Sequence, residues 1–407
     1  MAGNNNGGVV TPSTFTIDSF PKFIQAVFNP MPVSMTKTPY TIGDMFFIEV
    51  WAIPSKNAMT TNTPKTVPKL IQTLKANGKG DGTCTIDISN LLASQFKQAS
   101  HYVPNPNAPF QKDESAYLGY FIKAGSITFN RQNREVKVYE FESAVQYALR
   151  AAMPLTTDGN LIDYVYAYDG EPVKYLTSLP DGSRKRRDED VYLSTFLPLN
   201  KNNGNTSTYT IVAKADLHFS SGPPEIGYEI GSYALATGGV YLFNVKPQVF
   251  TASTNYDSLT SYSVYLELIN DATQQSNPCT LTKEIAVDSV IASPVTAQFM
   301  NRLGGWDALQ LRKDTETDIK TKVSSFTPMF GSKVYQVDTT STITYHSNWL
   351  TASEYQWLKD MMVSPAVYID GNYVSLKDES FKLDTMLGLF ALDITVVPAY
   401  EENTIKL

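Results

Sequence analysis

Turn signals recur along this chain at short intervals. Asn77-Gly-Lys-Gly-Asp-Gly82, Asp158-Gly159, Asp169-Gly170, Asp181-Gly182, Asn203-Gly204, Gly222-Pro-Pro224 and Gly238-Gly239 separate short runs rich in Val, Ile, Thr, Tyr and Phe. Glycine tolerates the positive φ that tight reversals need, and Asp and Asn side chains hydrogen-bond the backbone just ahead of them. A chain that doubles back this often leaves little length for helices, and the spacing is that of an all-β fold. No repeat of fixed period is present, so neither a solenoid nor a propeller is expected.

At 407 residues the chain exceeds one ordinary core, and several domains are expected. The first residues are Gly, Asn, Thr and Ser, too polar to offset the entropy of ordering them, so residues 1–18 read as a flexible arm. Residues 19–143 carry strand-like runs at Phe20 to Phe28, Tyr40 to Ile53, Thr83 to Ile88, Tyr117 to Ala124, Ser126 to Asn130 and Glu135 to Phe141. A short helix follows Asp87, with Ser89 or Asn90 as its cap. Residues 144–293 repeat the pattern at Val191 to Leu197, Tyr209 to Phe219, Tyr241 to Phe250 and Ser261 to Leu268. Both segments read as β-sandwich-like domains.

Residues 294–407 read as an α+β unit. Thr351-Ala-Ser-Glu354 is a capping box, in which the Thr hydroxyl and the Glu carboxylate each satisfy a free backbone donor, and Pro365 limits the helix that follows. Tyr355, Leu358 and Met362 make one apolar face, with Trp357 and Met361 at its edge. That face needs a partner, and the flanking strands (Thr339 to Trp349, Ala366 to Leu376, Leu387 to Val397) supply a small sheet for it. The fold class expected is therefore mainly β: tandem sandwiches followed by one short helix on a small sheet.

Composition narrows the function. A net charge of −7 argues against a general polyanion binder, since sequence-independent nucleic-acid affinity rests on many cations. Cys84 and Cys279 stand far apart, with no CxxC, which supports neither a disulfide framework nor a thiolate zinc site. The N-terminus lacks a signal-peptide pattern, so synthesis and initial residence in the cytoplasm are expected, and no run reaches the roughly 18 apolar residues of a membrane span. His101, His218 and His346 are scattered singly, without HExxH spacing. Glu225, Glu229 and Asp307 could be nominated as glycosidase carboxylates, and Asp81, Asp87 and Asp169 lie in or near turns that could hold Ca²⁺. None of these sets matches a specific motif. There is no GxSxG and no GxxxxGK[ST], and Gly231 to Gly239 lacks the strand–GxGxxG–helix context. No enzyme activity and no cofactor are expected.

The segment Phe299-Met-Asn-Arg-Leu-Gly-Gly-Trp-Asp307 resembles one that recurs in structural proteins of tailed phages and prophages of Bacteroidetes, including crAss-like phages. Shorter anchors are compatible with it: Phe28-Asn-Pro30, Asp87-Ile-Ser89, Asp190-Val-Tyr-Leu193, Tyr355-Gln-Trp-Leu358, Ser364-Pro-Ala-Val-Tyr368 and Glu402-Asn-Thr-Ile405. The resemblance implies a virion component of the neck or tail, with no catalytic residues to carry over. Such a subunit would assemble into a symmetric homo-oligomeric ring and join other neck or tail proteins, with no membrane and no specific nucleic acid as partner. The alternatives are a receptor- or carbohydrate-binding tail-tip protein, whose surface aromatics would stack on sugars, and a β-sandwich glycosidase.

The residues nominated for subunit contacts are Asn4, Asn5 and Asn6 in the arm, the loop Arg184-Lys-Arg-Arg-Asp-Glu-Asp190, and the tryptophans Trp306 and Trp349. For the loop the competing reading is a solvated, self-neutralising charge run; for the tryptophans it is core packing. Arg184, Lys185, Arg186 and Arg187 are the cations that would dock on an acidic patch.

Overall fold

The computed structural model describes residues 14–40, 44–53, 68–97, 102–130, 132–154, 159–165, 171–197, 209–235, 238–288, 294–313, 315–327, 329–377 and 390–398. Of the expected flexible arm, residues 1–13 lie outside them, while Thr14 to Asp18 belong to a strand paired antiparallel with Ser34 to Thr38. The molecule is mainly β, with helical segments few and short, as the turn spacing requires. It divides into two compact units, residues 1–100 with 114–162, and residues 101–113 with 163–407. The boundary expected at residue 143 falls inside the first unit, which runs on to 162. The one at 293 falls inside the second unit, where a single core runs from Val173 to Val396.

The first half of the chain forms β1 (Thr14–Ser19), β2 (Ile24–Ala26), β3 (Pro32–Thr38), β4 (Met45–Ile53), β5 (Lys69–Asn77), β6 (Thr83–Asp87), α1 (Ser89–Lys97), β7 (Phe110–Asp113), β8 (Tyr117–Phe129), β9 (Glu135–Glu142) and β10 (Gln146–Leu149). In unit 1 the sheet β1-β3-β6 faces the sheet β2-β10-β8-β4-β5, with β9 added to β8. Alternation decides what lies between them. Val33, Met35 and Cys84 come from one sheet, and Phe46, Ile48, Val50, Tyr120, Ile122 and Ala124 from the other. Leu92 and Phe96 of α1 join the same core. Asp87, not Ser89, serves the helix start: its Oδ1 accepts from the backbone N–H of Ser89 at 2.9 Å and of Met31 at 3.0 Å.

The second half adds β11 (Ser183–Arg186), β12 (Tyr192–Leu197), β13 (Tyr209–Phe219), β14 (Glu225–Leu235), β15 (Gly239–Asn244), β16 (Leu259–Asn270), β17 (Gln275–Pro278), β18 (Lys283–Asp288), β19 (Val295–Met300), β20 (Trp306–Leu311), β21 (Thr315–Phe326), β22 (Lys333–His346), α2 (Ala352–Trp357), α3 (Lys359–Met362), β23 (Val367–Ile369), β24 (Asn372–Leu376) and β25 (Asp393–Pro398). Unit 2 holds three sheets, ordered β11-β18-β16-β13-β14 with β17 on β16, then β12-β15-β7, then β20-β19-β23-β24-β25-β22-β21. The capping box is formed: Glu354 N–H donates to the Thr351 hydroxyl at 3.3 Å and Thr351 N–H to Glu354 Oε2 at 2.9 Å. The expected single helix is two short segments, α2 and α3, abutting at Leu358.

The Asn-Arg-Leu-Gly-Gly-Trp-Asp segment is the turn that joins β19 to β20. Asn301 Oδ1 accepts from the N–H of Leu303 at 3.0 Å and of Gly305 at 3.1 Å, while Nδ2 donates to Leu176 O at 2.9 Å and Asp307 Oδ2 at 3.0 Å. Asp307 accepts further bonds from Thr177 Oγ1 at 2.6 Å and Trp357 Nε1 at 2.9 Å. Gly304 takes φ 83°, and a Cβ on Gly305 would meet Leu176 O at 2.2 Å, so both glycines are obligatory. Most residues of this short motif thus answer to packing, and the exposed Arg302 pairs with the buried Asp360.

Two consequences can be measured. Burial pushes the Asp307 carboxyl from 3.8 up to about 6 despite the bonds from Thr177, Trp357 and Asn301. Because the folded value is the higher one, the folded state binds the extra proton, and the associated stability is present below pH 3.8 and lost as pH rises through 6. Chemical denaturation from pH 4 to 7 should therefore show wild type losing roughly 2.5 kcal/mol relative to Asp307→Asn; a pH-independent gap would contradict the assignment. Thr351→Ala should cost about 1 kcal/mol through the lost cap, read as a lower Tm with an unchanged circular-dichroism spectrum.

Candidate assembly interface

Sequence reasoning nominated nine contact residues. Asn4, Asn5 and Asn6 lie outside the described residues. The Arg184 to Asp190 segment, expected as an exposed loop, instead begins as a strand, because β11 pairs in parallel with β18. Lys185 and Arg186 are buried there. Lys185 Nζ bonds Glu189 Oε1 and Ala308 O, both at 2.8 Å, and stands 4.9 Å from the Trp357 ring centre. Arg186 Nη1 donates to Gln310 Oε1 at 3.2 Å. Arg187 donates to the carbonyls of Tyr256 at 3.0 Å and Asp257 at 2.6 Å. The Lys185–Glu189 pair is buried, where a charge persists only when partnered, so Lys185 and Arg186 are committed inside unit 2, while Arg187 is partly buried against the Tyr256–Asp257 turn. Arg184 alone of the four is exposed.

Trp306 is 0% exposed, with its indole N–H on Asp113 Oδ2 at 3.2 Å, so core packing is its role. Trp349 is 71% exposed and remains available for contact.

Sequence reasoning missed the largest exposed element. Strands β21 and β22 pair antiparallel from Thr315↔Tyr345 to Phe326↔Lys333. Strand β25 covers β22 only along Ile343 to His346, so residues 333–342 and their partners extend past the sheet as a two-stranded ribbon. At about 3.3 Å per residue the ribbon reaches roughly 30 Å. Nearly every β21 residue is exposed. Glu316, Asp318, Lys320 and Lys322 alternate with Thr317, Ile319, Thr321 and Val323, which puts charge on one face and β-branched side chains on the other. The far end is apolar: Phe326 and Val323 are about half exposed, Met329 is 92% and Phe330 90% exposed.

An isolated two-stranded ribbon is marginal in water, and clustered apolar side chains at its tip add an unfavourable hydrated surface. Both costs fall if the ribbon lies against another protein, and β21 ends the sheet among the described residues, a position suited to strand addition. The sequence did hold a signal: twelve residues of alternation ending in a Pro-Met-Phe-Gly reversal, where turns ordinarily carry polar side chains.

The chemical candidates do not assemble. Asp307 is buried with both oxygens occupied. Glu225 and Glu229 share β14, and Glu225 accepts from Ser253. Asp81 and Asp87 are engaged by Thr83 and by Met31 and Ser89; Asp169 and His101 lie outside the described residues. His346 Nδ1 contacts Asp393 at 2.6 Å at the surface, and His218 lies on β13. Cys84 and Cys279 are buried free thiols, the latter pushed up to about 12 by burial. Among the described residues no group of three or more His, Cys, Asp or Glu could hold a metal ion, and no helix is long and apolar enough to cross a membrane.

No protein-family model and no curated protein matches the chain. Solved structures with some likeness include a crystal structure of CBD12 from CALX1.2, at TM-score 0.20 and 8% identity, covering 67% of this chain and 98% of that one. A protein of unknown function from Porphyromonas gingivalis W83 gives TM-score 0.13 and 9% identity, covering 69% and 100%. The BSP domain of a biofilm-associated protein gives TM-score 0.12 and 10% identity, covering 82% and 78%. At these scores none of them carries an argument about fold or function.

Met329→Ser combined with Phe330→Ser should lower the binding of a hydrophobic dye to the native protein while moving stability by no more than about 0.5 kcal/mol, because neither side chain is packed in the core. A large fall in Tm would mean that the tip folds back onto its own subunit.

Proposed function

We propose that this chain is a virion structural protein of a tailed phage, a neck or tail subunit that self-assembles into a symmetric oligomer and joins neighbouring virion proteins. The observation that carries the reading is the β21–β22 ribbon, a long two-stranded arm with an apolar tip that a lone subunit leaves in water. A second copy, presenting the same arm and receiving its neighbour's, satisfies every subunit at once, and such a head-to-tail contact closes into a ring when the rotation between copies divides a full turn. The sequence resemblance around Asn301 to Asp307 supports the viral setting. In this reading the protein works by binding rather than by turnover, and is located in the virion after assembly in the host cytoplasm.

The test removes the arm without touching the sheet. Thr317 pairs with Ile343, so residues 318–342 can be replaced by Asn-Gly, a turn that suits a two-residue hairpin. Wild type should give rings or higher oligomers in light scattering and negative-stain images, and the shortened protein a monomer with an unchanged core. A wild-type monomer at high concentration, or oligomers that persist without the arm, would overturn the proposal.

A further inference from the structure

Unit 1 carries a second candidate surface, on the face of its larger sheet that points away from the core. Strands β4 and β8 run antiparallel with Trp51 opposite Phe121 and Glu49 opposite Lys123. Since Val50 and Ile122 are committed to the core, alternation sends these four side chains to the other side. There the two aromatic rings lie parallel within 8°, with centres 6.0 Å apart, so Phe121 fixes the plane of the Trp51 indole. Lys123 Nζ stands 5.8 Å and 5.9 Å from the two ring centres and is held by Glu142 at 3.1 Å.

Glu49 anchors the floor. Its Oε1 accepts from Lys137 Nζ at 2.6 Å and Tyr139 OH at 3.0 Å, and its Oε2 from the Trp51 indole N–H at 3.3 Å. Glu140 is fixed through Oε2, which accepts from the Ser126 N–H at 3.1 Å and hydroxyl at 3.0 Å. Together Glu49, Trp51, Lys123, Tyr139, Glu140 and Glu142 border a cleft of about 410 Å³. That volume lies within the range of small-ligand sites, roughly 300–1,000 Å³.

The lining selects a ligand class. One half-exposed aromatic wall suits a flat patch of C–H groups, while the surrounding carboxylates and ammonium offer many acceptors and donors within a short reach. A purely apolar ligand would strip water from those charged groups while offering no hydrogen bond in return, which is costly. Three carboxylates against the ammoniums of Lys123 and Lys137 leave little net charge, so neither a phosphate nor a polycation gains much. A molecule with an apolar ring face and a dense rim of hydroxyls meets every requirement, and we infer that this cleft binds a neutral saccharide. The contacts are already held in place by Phe121, Ser126, Lys137 and Tyr139, so little ordering remains to be done on binding.

The inference is independent of the assembly arm, and the full chain serves for the test. Affinity gel electrophoresis should be run through dextran, soluble starch, xylan and galactomannan, with polygalacturonate as an anionic control. Retardation is expected in at least one neutral gel, with affinity reduced roughly tenfold or more by Trp51→Ala, a loss of about 1.4 kcal/mol. Glu142→Gln, at an exposed position that leaves the fold intact, should also weaken binding, which keeps the test decisive if Trp51→Ala fails to fold. Ligand should shift the tryptophan fluorescence in a Trp349→Phe background, where Trp51 is the remaining partly exposed indole beside the buried Trp306 and Trp357, and Trp51→Phe should abolish the shift. The arm-shortened protein should retain binding. No retardation of wild type by any neutral gel, retardation by the anionic gel alone, or equal retardation of wild type and both variants would overturn the inference.

Discussion

The carboxylate of Asp307 is the point on which unit 2 turns. A threonine hydroxyl from the segment before β11, an asparagine from the β19–β20 turn and an indole from α2 all donate to it. These elements are far apart in sequence and have no backbone ladder in common, so the buried anion supplies the geometry that a sheet cannot. Removing any one donor would strand a charge in an apolar interior, which makes the arrangement a demanding one. The same logic runs through Lys185 and Glu189, whose ion pair is closed by the Ala308 carbonyl and lies over the Trp357 ring. Polar chemistry in this unit is directed inward, toward holding sheets in register.

What is left for the outside is shape. The β21–β22 ribbon sets the apolar side chains of Met329 and Phe330 almost fully exposed at its far end. On unit 1 the sheet face bearing Trp51 does the reverse, pairing an aromatic wall with fixed polar groups. The proposed self-association and the inferred saccharide binding therefore draw on different physical resources, burial of apolar area in one and a preorganised polar rim in the other.

Features set by neighbours in sequence were legible. The Thr351–Glu354 capping box and strand β13 were read where they stand, because capping and alternation are local. Features set by distant partners were not. Nothing in Arg184 to Asp190 shows that Lys185 will meet Ala308 O or that Arg186 will meet Gln310, so in sequence alone the charge run reads as surface. Trp306 and Trp349 look alike in sequence, and only a sheet that buries one of them tells them apart. The domain boundary near residue 293 failed to appear as a gap because side chains on both sides of it contribute to one core. The ribbon escaped notice for the opposite reason: its Thr- and Ser-rich composition reads as ordinary solvated strand.

Residues 101–113 leave the first unit's stretch of sequence, add β7 to the second unit, and are followed by β8, which belongs to the first again. Among the described residues, strand β7 has β15 as its strand partner, more than a hundred residues downstream. At translation rates of about 5–20 residues per second, that partner emerges from the ribosome several seconds or more after β7 does. The nascent protein must therefore carry an open strand, including the apolar Phe110, through that interval. Through that interval an exposed edge stands open to mispairing between growing chains, as it does at β2, whose partner β10 is also far downstream.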